Sequence, residues 1–244
     1  MRVALLSDIH SNLEALLGVE EEIKKLSPDK VICLGDIVGY AARPNACIEI
    51  VKKNSWLAIA GNHDLGCLGK LEISSFNPYA RKAIVWTQEK LSQENQSFLN
   101  GFDLTYKEAN FICTHGSLFE PDKFHYLDNY SLIFRDFSVV NQIDEQICFV
   151  AHTHIPACFI WKADNLYRDY SSAIEISSKC KYIINIGSVG QPRDRDSRSC
   201  FCIFDTQKNT LKFIRLRYDI KTTQGQIIEE GLPEVLANRL SGGW

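Results

Sequence analysis

Histidine and carboxylate side chains recur along this sequence at places where they could bind metal ions. Five of the six histidines lie a few residues after short apolar runs that predict β-strands: His10, His63, His115, His152 and His154. Asp8 and Asp36 end the first two of these runs, and Asn62 follows the third. Imidazole and carboxylate ligands suit Zn, Mn, Fe and Ni. Two acidic and four or five imidazole ligands exceed the needs of one tetrahedral ion and fit two ions about 3.5–4 Å apart.

The elements that must position these side chains alternate between strand and helix in the first half. Strands are predicted at 3–7, 30–35 and 56–60, and helices at 12–26 and 44–53. This order implies βαβ units and a largely parallel sheet. The carboxyl ends of parallel strands form a common crevice for ligands, so the candidate side chains are expected to meet there.

The second half of the chain predicts mainly strands. After one or two helices at 78–98, the apolar runs that predict strands are 110–114, 147–151, 157–161, 181–186, 200–204 and 211–216. Helices are expected at 131–140 and 232–240, and 120–130 is irregular and rich in aromatic residues.

Composition narrows the class of protein. With 244 residues, 45% of them hydrophobic, and a net charge of −3, the chain predicts a globular protein without a basic surface for long nucleic acid. No apolar run is long enough for a membrane span, and the first run stops at Asp8 like a strand. Nine cysteines without a C-x-x-C pair favour a reducing cytoplasm.

Five short segments, in order, resemble the signature blocks of the calcineurin-like metallophosphoesterases. They are Asp8-Ile9-His10, Gly35-Asp36-Ile37-Val38-Gly39-Tyr40, Gly61-Asn62-His63-Asp64, Thr114-His115-Gly116 and Ala151-His152-Thr153-His154. A later segment, residues 185–193, resembles a loop of the small bacterial phosphodiesterase-like branch. One block alone is weak evidence, and the pair His152 and His154 taken alone fits a polar surface segment equally well.

The resemblance implies a fold and a metal arrangement. The fold is a four-layer α/β sandwich, αββα, of two mixed β-sheets flanked by helices, in one domain over residues 1–244. The first metal would be held by Asp8, His10 and His154. The second would be held by Asn62, His115 and His152. Asp36 and a hydroxide would bridge both ions, and His63 would lie over the phosphoryl group as the catalytic histidine. Mn²⁺ is the expected metal, with Fe, Ni, Zn and Mg as alternatives.

Two departures from the family pattern bear on function. Ala151 stands where the family usually has glycine, and both residues are small. Gly39 and Tyr40 stand where the Ser/Thr protein phosphatases have Asp-Arg. This difference argues against a protein phosphatase, and it leaves no residue assigned to orient His63.

Four further residues are weaker candidates for substrate binding. Phe124 and Tyr126 could stack on a base, or they could pack within a surface loop. Arg193 could contact a phosphate, or it could belong to a solvated turn with neighbouring charges. Asn12 could contact substrate, or it could cap the first helix.

The sequence thus predicts a dinuclear metal-dependent hydrolase of phosphate esters or anhydrides that acts on small nucleotide-type substrates. The alternatives are a non-catalytic scaffold with the same fold and a protein phosphatase. The expected partner is a small phosphoester or nucleotide, and a homo-oligomer stays open.

Overall fold

Two six-stranded mixed sheets form the centre of the computed structural model, which describes residues 1–244. The strands are β1 (Arg2–Leu6), β2 (Lys30–Cys33), β3 (Leu57–Ala58), β4 (Thr105–Glu108), β5 (Phe111–Thr114), β6 (Ile147–Val150), β7 (Ala157–Lys162), β8 (Asn165–Asp169), β9 (Ala173–Glu175), β10 (Lys181–Asn185), β11 (Ser199–Asp205) and β12 (Thr210–Leu216). The first sheet has the order β3-β2-β1-β11-β12-β9, and the second has the order β4-β5-β6-β10-β7-β8.

Eight α-helices complete the fold, and a separate 3-10 turn at Pro121–Lys123 lies between the fifth and the sixth. The helices are α1 (Leu13–Leu26), α2 (Pro44–Lys53), α3 (Asn62–Cys67), α4 (Pro78–Lys90), α5 (Gln93–Asn100), α6 (Tyr130–Val140), α7 (Ile220–Glu229) and α8 (Glu234–Gly242). None of them has the combination of length and apolar character that a membrane span requires.

Strand alternation divides the core into layers. In β1, Val3 and Leu5 join the cluster between the two sheets, whereas Ala4 and Leu6 join the cluster that contains α1 and α2. The same alternation in β6 places Phe149 between the sheets, while neighbouring residues pack against α6. Because side chains of a strand alternate between its faces, these buried strands each contribute to two cores. The expected four layers, αββα, are confirmed.

Most predicted elements are confirmed, and the differences have physical reasons. The predicted strand 56–60 shrinks to Leu57–Ala58, because Ala60 donates its N–H to the carbonyl of Asp103 outside the sheet. The strands β4, β8 and β9 lie at or near sheet edges and carry mixed polar side chains, so they lack an apolar signal. Helix α7 contains two threonines and Gly225, which weaken helix propensity.

Candidate metal centre

Parallel strands from both sheets end at the candidate site. Strands β1, β2 and β3 run parallel in the first sheet, and β5, β6 and β10 run parallel in the second. Each predicted ligand follows one of these strands: Asp8 and His10 follow β1, Asp36 follows β2, Asn62 starts α3 after β3, His115 follows β5, and His152 and His154 follow β6. The structure brings all seven side chains to this edge, together with His63.

The backbone at these positions is strained. Five of the seven residues have a positive φ, between 49° and 67°: Asp8, His10, Asp36, His152 and His154. This left-handed conformation costs roughly 1–2 kcal/mol per residue for a side chain with a Cβ. Such strain persists only where the surrounding structure enforces it, and it concentrates at functional sites. Here neighbouring loops enforce it, since Asp8 and His10 donate their N–H groups to the carbonyls of Gly35 and Asp36.

Two imidazole nitrogens face each other in the first ligand group. The Nε2 atoms of His10 and His154 lie 3.1 Å apart, and Asp8 Oδ1 lies 3.3 Å from His154 Nε2. The Nδ1 atoms of the two histidines lie 3.1 and 2.6 Å from the carbonyls of Val38 and Gln191. A carbonyl only accepts hydrogen bonds, so both Nδ1 atoms carry the proton and both Nε2 atoms present lone pairs. Two facing lone pairs and a carboxylate form a site for a cation.

A second ligand group lies on the other side of Asp36. His115 donates its Nδ1–H to the carbonyl of Leu34 at 2.6 Å, so its Nε2 is again the free ligand atom. This Nε2 lies 3.2 Å from Asp36 Oδ2, and His10 Nε2 of the first group lies 3.6 Å from the same oxygen. The rings of His115 and His152 lie 5.0 Å apart. Asp36 therefore stands between the two groups, where one carboxylate could serve two ions.

Several buried ligand atoms have no hydrogen-bond partner. They are Asp8 Oδ1, Asp36 Oδ2, Asn62 Oδ1 and His115 Nε2. Buried polar groups are normally paired, and an unpaired group costs about 1–3 kcal/mol. The unpaired atoms of Asp8, Asp36 and His115 belong to two compact groups, Asp8–His10–His154 and Asp36–His115–His152, and within each group the ligand atoms lie within 4.8 Å of one another. The residues present therefore fit two metal ions.

Burial sets the protonation of the ligands. It lowers the pKa well below its ordinary value in three histidines: His10, His152 and His154. Burial also raises the pKa of Asp8 to about 7, although the charge of His115 opposes the change. In His115 burial would lower the pKa, but the carboxylate of Asp36 raises it to about 9. Most of the imidazoles are thus neutral and able to bind metal near pH 7.

His63 is held by packing. Its backbone N–H donates to Asp36 Oδ1 at 2.8 Å, and its Nδ1 has no partner. The ring packs against Tyr40 and Phe76, with centroids 4.5 and 5.2 Å away. A Cβ on Gly39 would lie 2.5 Å from His63 Nδ1, so the glycine leaves this space to the ring. His63 also forms a compact group with His10 and Asp36, so its position alone allows metal contact.

Asp64 is a positioning residue that the sequence did not reveal. Its buried carboxylate accepts hydrogen bonds from the backbone of Asp36 at 2.8 Å, Gly61 at 3.0 Å and Val38 at 3.2 Å. The bonds join the loops after β2 and β3, so Asp64 fixes the backbone that carries Asp36. Its position directly after Asn62-His63 was the available signal.

The side chain of Asn12 makes hydrogen bonds that hold the fold together. Its Oδ1 accepts from the N–H of Ala15 and from Thr223 Oγ1, and its Nδ2 donates to the carbonyl of Gly190 at 2.8 Å. The side chain is fully buried. The structure therefore supports the helix-cap role for Asn12, and it does not place Asn12 in the substrate site.

A groove of about 710 Å³ opens beside the ligands. Tyr126 lies in it with its ring 3.8 Å from that of His152, and 42% of the side chain is exposed. Phe124 is buried, with its ring 5.9 Å from that of His115. Both aromatic residues thus lie against predicted ligands, and Tyr126 offers an accessible face. His125 turns to Glu120 at 3.0 Å, away from the metal ligands.

Two arginines lie around Tyr40 at the edge of the site. Arg193 was a sequence candidate, and its Nη2 donates to Gln191 Oε1 at 2.9 Å and to Tyr40 OH at 3.3 Å. Arg239 was not predicted from the sequence, because it looks like an ordinary charged residue of an amphipathic helix. Its guanidinium carbon lies 5.9 Å from the centroid of the Tyr40 ring.

Two stacked mixed sheets with aspartates and histidines at their common edge define the architecture of the metallophosphoesterases. The calcineurin-like phosphoesterase superfamily domain matches residues 1–209 of this chain. Over 244 residues the chain is 39% identical to the uncharacterized protein MJ0912 of Methanocaldococcus jannaschii, covering 98% of this chain and 96% of that protein.

Solved structures agree. A metallophosphoesterase from Sphaerobacter thermophilus superposes with a TM-score of 0.85 and 35% identity, over 100% of this chain and 99% of that one. The protein PH1004 from Pyrococcus horikoshii has the same fold, with a TM-score of 0.79, 23% identity and coverage of 100% and 98%. The chain belongs to the calcineurin-like phosphoesterase superfamily, whose members typically bind divalent metals.

Proposed function

We propose that this protein is a dinuclear metal-dependent hydrolase of phosphate esters or anhydrides, with small nucleotide-type substrates. The observation that carries the proposal is the pair of compact ligand groups around Asp36, in which the buried atoms Asp8 Oδ1, Asp36 Oδ2 and His115 Nε2 have no hydrogen-bond partner. Mn²⁺ is the proposed metal because oxygen and imidazole ligands, without thiolate, suit it.

The metal centre, His63 and Tyr126 would each have a separate role in binding and cleaving the substrate. Two divalent ions would activate a water molecule for in-line attack on phosphorus. Asp8 and Asp36 neutralise only two of the four positive charges, so the centre would attract a phosphate group. His63 lines the groove beside the ligands, where it can stabilise the phosphoryl group or donate a proton to the leaving oxygen. The exposed face of Tyr126 offers a surface on which a base can stack.

Catalysis fits the site better than a scaffold role or protein dephosphorylation. Every predicted ligand and His63 lie at the same edge of the sheets, so each residue that the proposed reaction needs is present. Position 39, where the Ser/Thr protein phosphatases have an aspartate, is a glycine here. A Cβ at this position would lie 2.5 Å from His63 Nδ1, which leaves no room for an orienting aspartate. All nine cysteines are free and buried, which supports the proposed cytoplasmic location.

Metal loading and a chromogenic diester test this function. We expect protein stripped with EDTA and reloaded with Mn²⁺ to hold two ions per chain and to hydrolyse bis(p-nitrophenyl) phosphate. His115→Asn should lose metal and activity. His125→Asn is the matched control, because His125 lies on the same groove but pairs with Glu120. A loaded protein without hydrolysis, or a fully active His115→Asn variant, would contradict the proposal.

A further inference from the structure

Two guanidinium groups lie close to Tyr40, one aromatic ring away from the metal ligands. Their carbons lie 5.7 Å (Arg193) and 5.9 Å (Arg239) from the centroid of the Tyr40 ring. The same ring lies 4.6 Å from the ring of His10 and 4.5 Å from that of His63. Positive charge is therefore concentrated beside the phosphoryl position of the proposed function.

Neither arginine is paired with an Asp or Glu side chain. The acids nearest Arg193 in sequence are used elsewhere, since Asp194 pairs with Arg215 and Asp196 with Arg198. The polar partners of Arg193 Nη2 are the neutral groups of Gln191 and Tyr40, and its buried Nε has no acceptor. A buried cation without a counter-charge is costly. This arrangement is typical of a site where the counter-charge arrives with a ligand.

Arg239 is also held without an Asp or Glu side chain. Its Nε donates to the main-chain oxygen of Trp244, the last residue of the sequence, at 2.5 Å, and its guanidinium lies over the Trp244 ring. The terminal NH₂ groups thus have no Asp or Glu acceptor, and their side-chain partner is the hydroxyl of Tyr40. Burial and the positive charge of Arg193 lower the pKa of Arg239 to about 10, so it remains charged at neutral pH.

The backbone connects this arginine pair to the metal centre. Arg193 donates its N–H to the carbonyl of His154 at 3.2 Å, and Arg195 donates to the carbonyl of Gly243 at 2.7 Å. One loop thus joins a predicted metal ligand to the end of α8, which carries Arg239. Both guanidinium groups are positioned by elements fixed to the site.

The groove beside the ligands carries acidic side chains, and neither arginine lines it. Its lining includes Glu72, Asp122 and Asp128, and Lys123 is paired with Asp122 at 2.9 Å. A second phosphate would be repelled there. The arginine pair is the position next to the metal ligands where an additional anionic group gains favourable charge interactions.

We propose that Arg193 and Arg239 form an anion subsite that binds a second phosphate of the substrate, adjacent to the phosphoryl group at the metal centre. The proposal rests on the proposed function and narrows its substrate class to compounds with two linked phosphates, such as nucleoside di- or triphosphates. The terminal NH₂ groups of Arg239 bind oxygens of the second phosphate, and Arg193 lies between this phosphate and the metal ligands.

Binding of a non-hydrolysable diphosphate tests the subsite directly. Imidodiphosphate and inorganic phosphate are titrated calorimetrically into Mn²⁺-loaded protein freed of excess metal. We expect imidodiphosphate to bind at least about tenfold more tightly than phosphate, and Arg239→Gln to remove most of that preference, because charge-assisted hydrogen bonds are the strong ones. Arg239→Lys should retain part of it. Arg198→Gln, which removes an exposed arginine paired with Asp196, is the matched control and should retain all of it.

The outcomes separate this subsite from the proposed function. An equal preference for imidodiphosphate in wild type and Arg239→Gln, with unchanged melting temperatures, would overturn the subsite even if bis(p-nitrophenyl) phosphate is hydrolysed. A preference that depends on Arg239 in a protein without hydrolase activity would support the subsite and contradict the proposed function. If Arg239→Gln unfolds, Arg239→Lys is compared with wild type instead. If Arg239→Lys keeps the full preference for imidodiphosphate over phosphate, and binds phosphate as tightly as wild type does, a role for the planar guanidinium is contradicted.

Discussion

Gly39 offers a test of whether the position of His63 controls catalysis. Gly39 has φ +92°, and a Cβ there would lie 2.5 Å from His63 Nδ1. Ordinary contacts begin at 3.4 Å, so Gly39→Ala must displace the imidazole by about 0.9 Å. A displacement of about 1 Å in a catalytic group costs on the order of 10²-fold in rate. We therefore expect kcat to fall about 100-fold on a diester whose leaving group needs a proton.

Backbone strain must be separated from this displacement. A non-glycine residue in the left-handed region costs roughly 1–2 kcal/mol, and overpacking against His63 adds about 1–3 kcal/mol. Gly231 has φ +70° and nothing within 4 Å of its hypothetical Cβ. Gly231→Ala therefore carries the strain without displacing His63. It should lose about 1 kcal/mol in urea unfolding and keep wild-type turnover.

The two variants are compared by kcat, bound metal and free energy of unfolding. The decisive quantity is kcat of Gly39→Ala relative to that of Gly231→Ala at saturating substrate, with two ions bound in both. If Gly39→Ala keeps kcat within about twofold of the control, then either the ring accommodates the methyl group or His63 has no role in the rate.

Four further expectations concern single side chains. His63→Asn should keep both ions and lower kcat roughly 10²–10⁴-fold for poor leaving groups, and less for p-nitrophenolate; metal loss would make it a ligand. Asp36→Asn should abolish turnover and reduce bound metal below two per chain; two tightly held ions with normal turnover would contradict bridging. Tyr126→Ala should raise KM for nucleotides about tenfold and spare a simple aryl phosphate, whereas Phe124→Ala should lower the melting temperature and disturb both. In metal-free protein the pKa of His115 is raised, so protonated His115 stabilises the fold fully below about pH 6.5, and this contribution is lost as pH rises through about 9. Urea unfolding at several pH values measures this loss, and a free energy of unfolding that does not fall over this range would contradict it.

The sequence identified which side chains the structure brings together, because each of them is local to one strand. Each ligand lies within a few residues of an apolar strand, and the carboxyl ends of parallel strands meet at one edge. Asp8 and His10 needed only their own strand to be identified. Their geometry could not be predicted, because the Nε2 atoms that face each other belong to His10 and His154, which lie 144 residues apart.

The roles of residues that contact partners far away in the chain could not be predicted from the sequence. The sequence left Asn12 between a helix cap and a substrate contact, and the fold adds a hydrogen bond from Thr223, which lies 211 residues away. Arg239 reaches the site because α8 packs against Tyr40 and α4 in a separate small core. An arginine in an amphipathic helix usually faces solvent, and nothing in the local pattern distinguishes this one.

Both sheets contribute residues to the candidate metal centre. The first ligand group takes Asp8 and His10 from the first sheet and His154 from the second, and the second group joins Asp36 to His115 and His152 across the same boundary. Without a cation, left-handed backbone and unpaired ligand atoms oppose sheet packing at this edge. A cation in either group would offset these costs and link the sheets where the apolar core ends. The strain at these positions is therefore best understood as the cost of placing seven candidate metal ligands between two sheets, and the facing Nε2 atoms of His10 and His154 are its clearest sign.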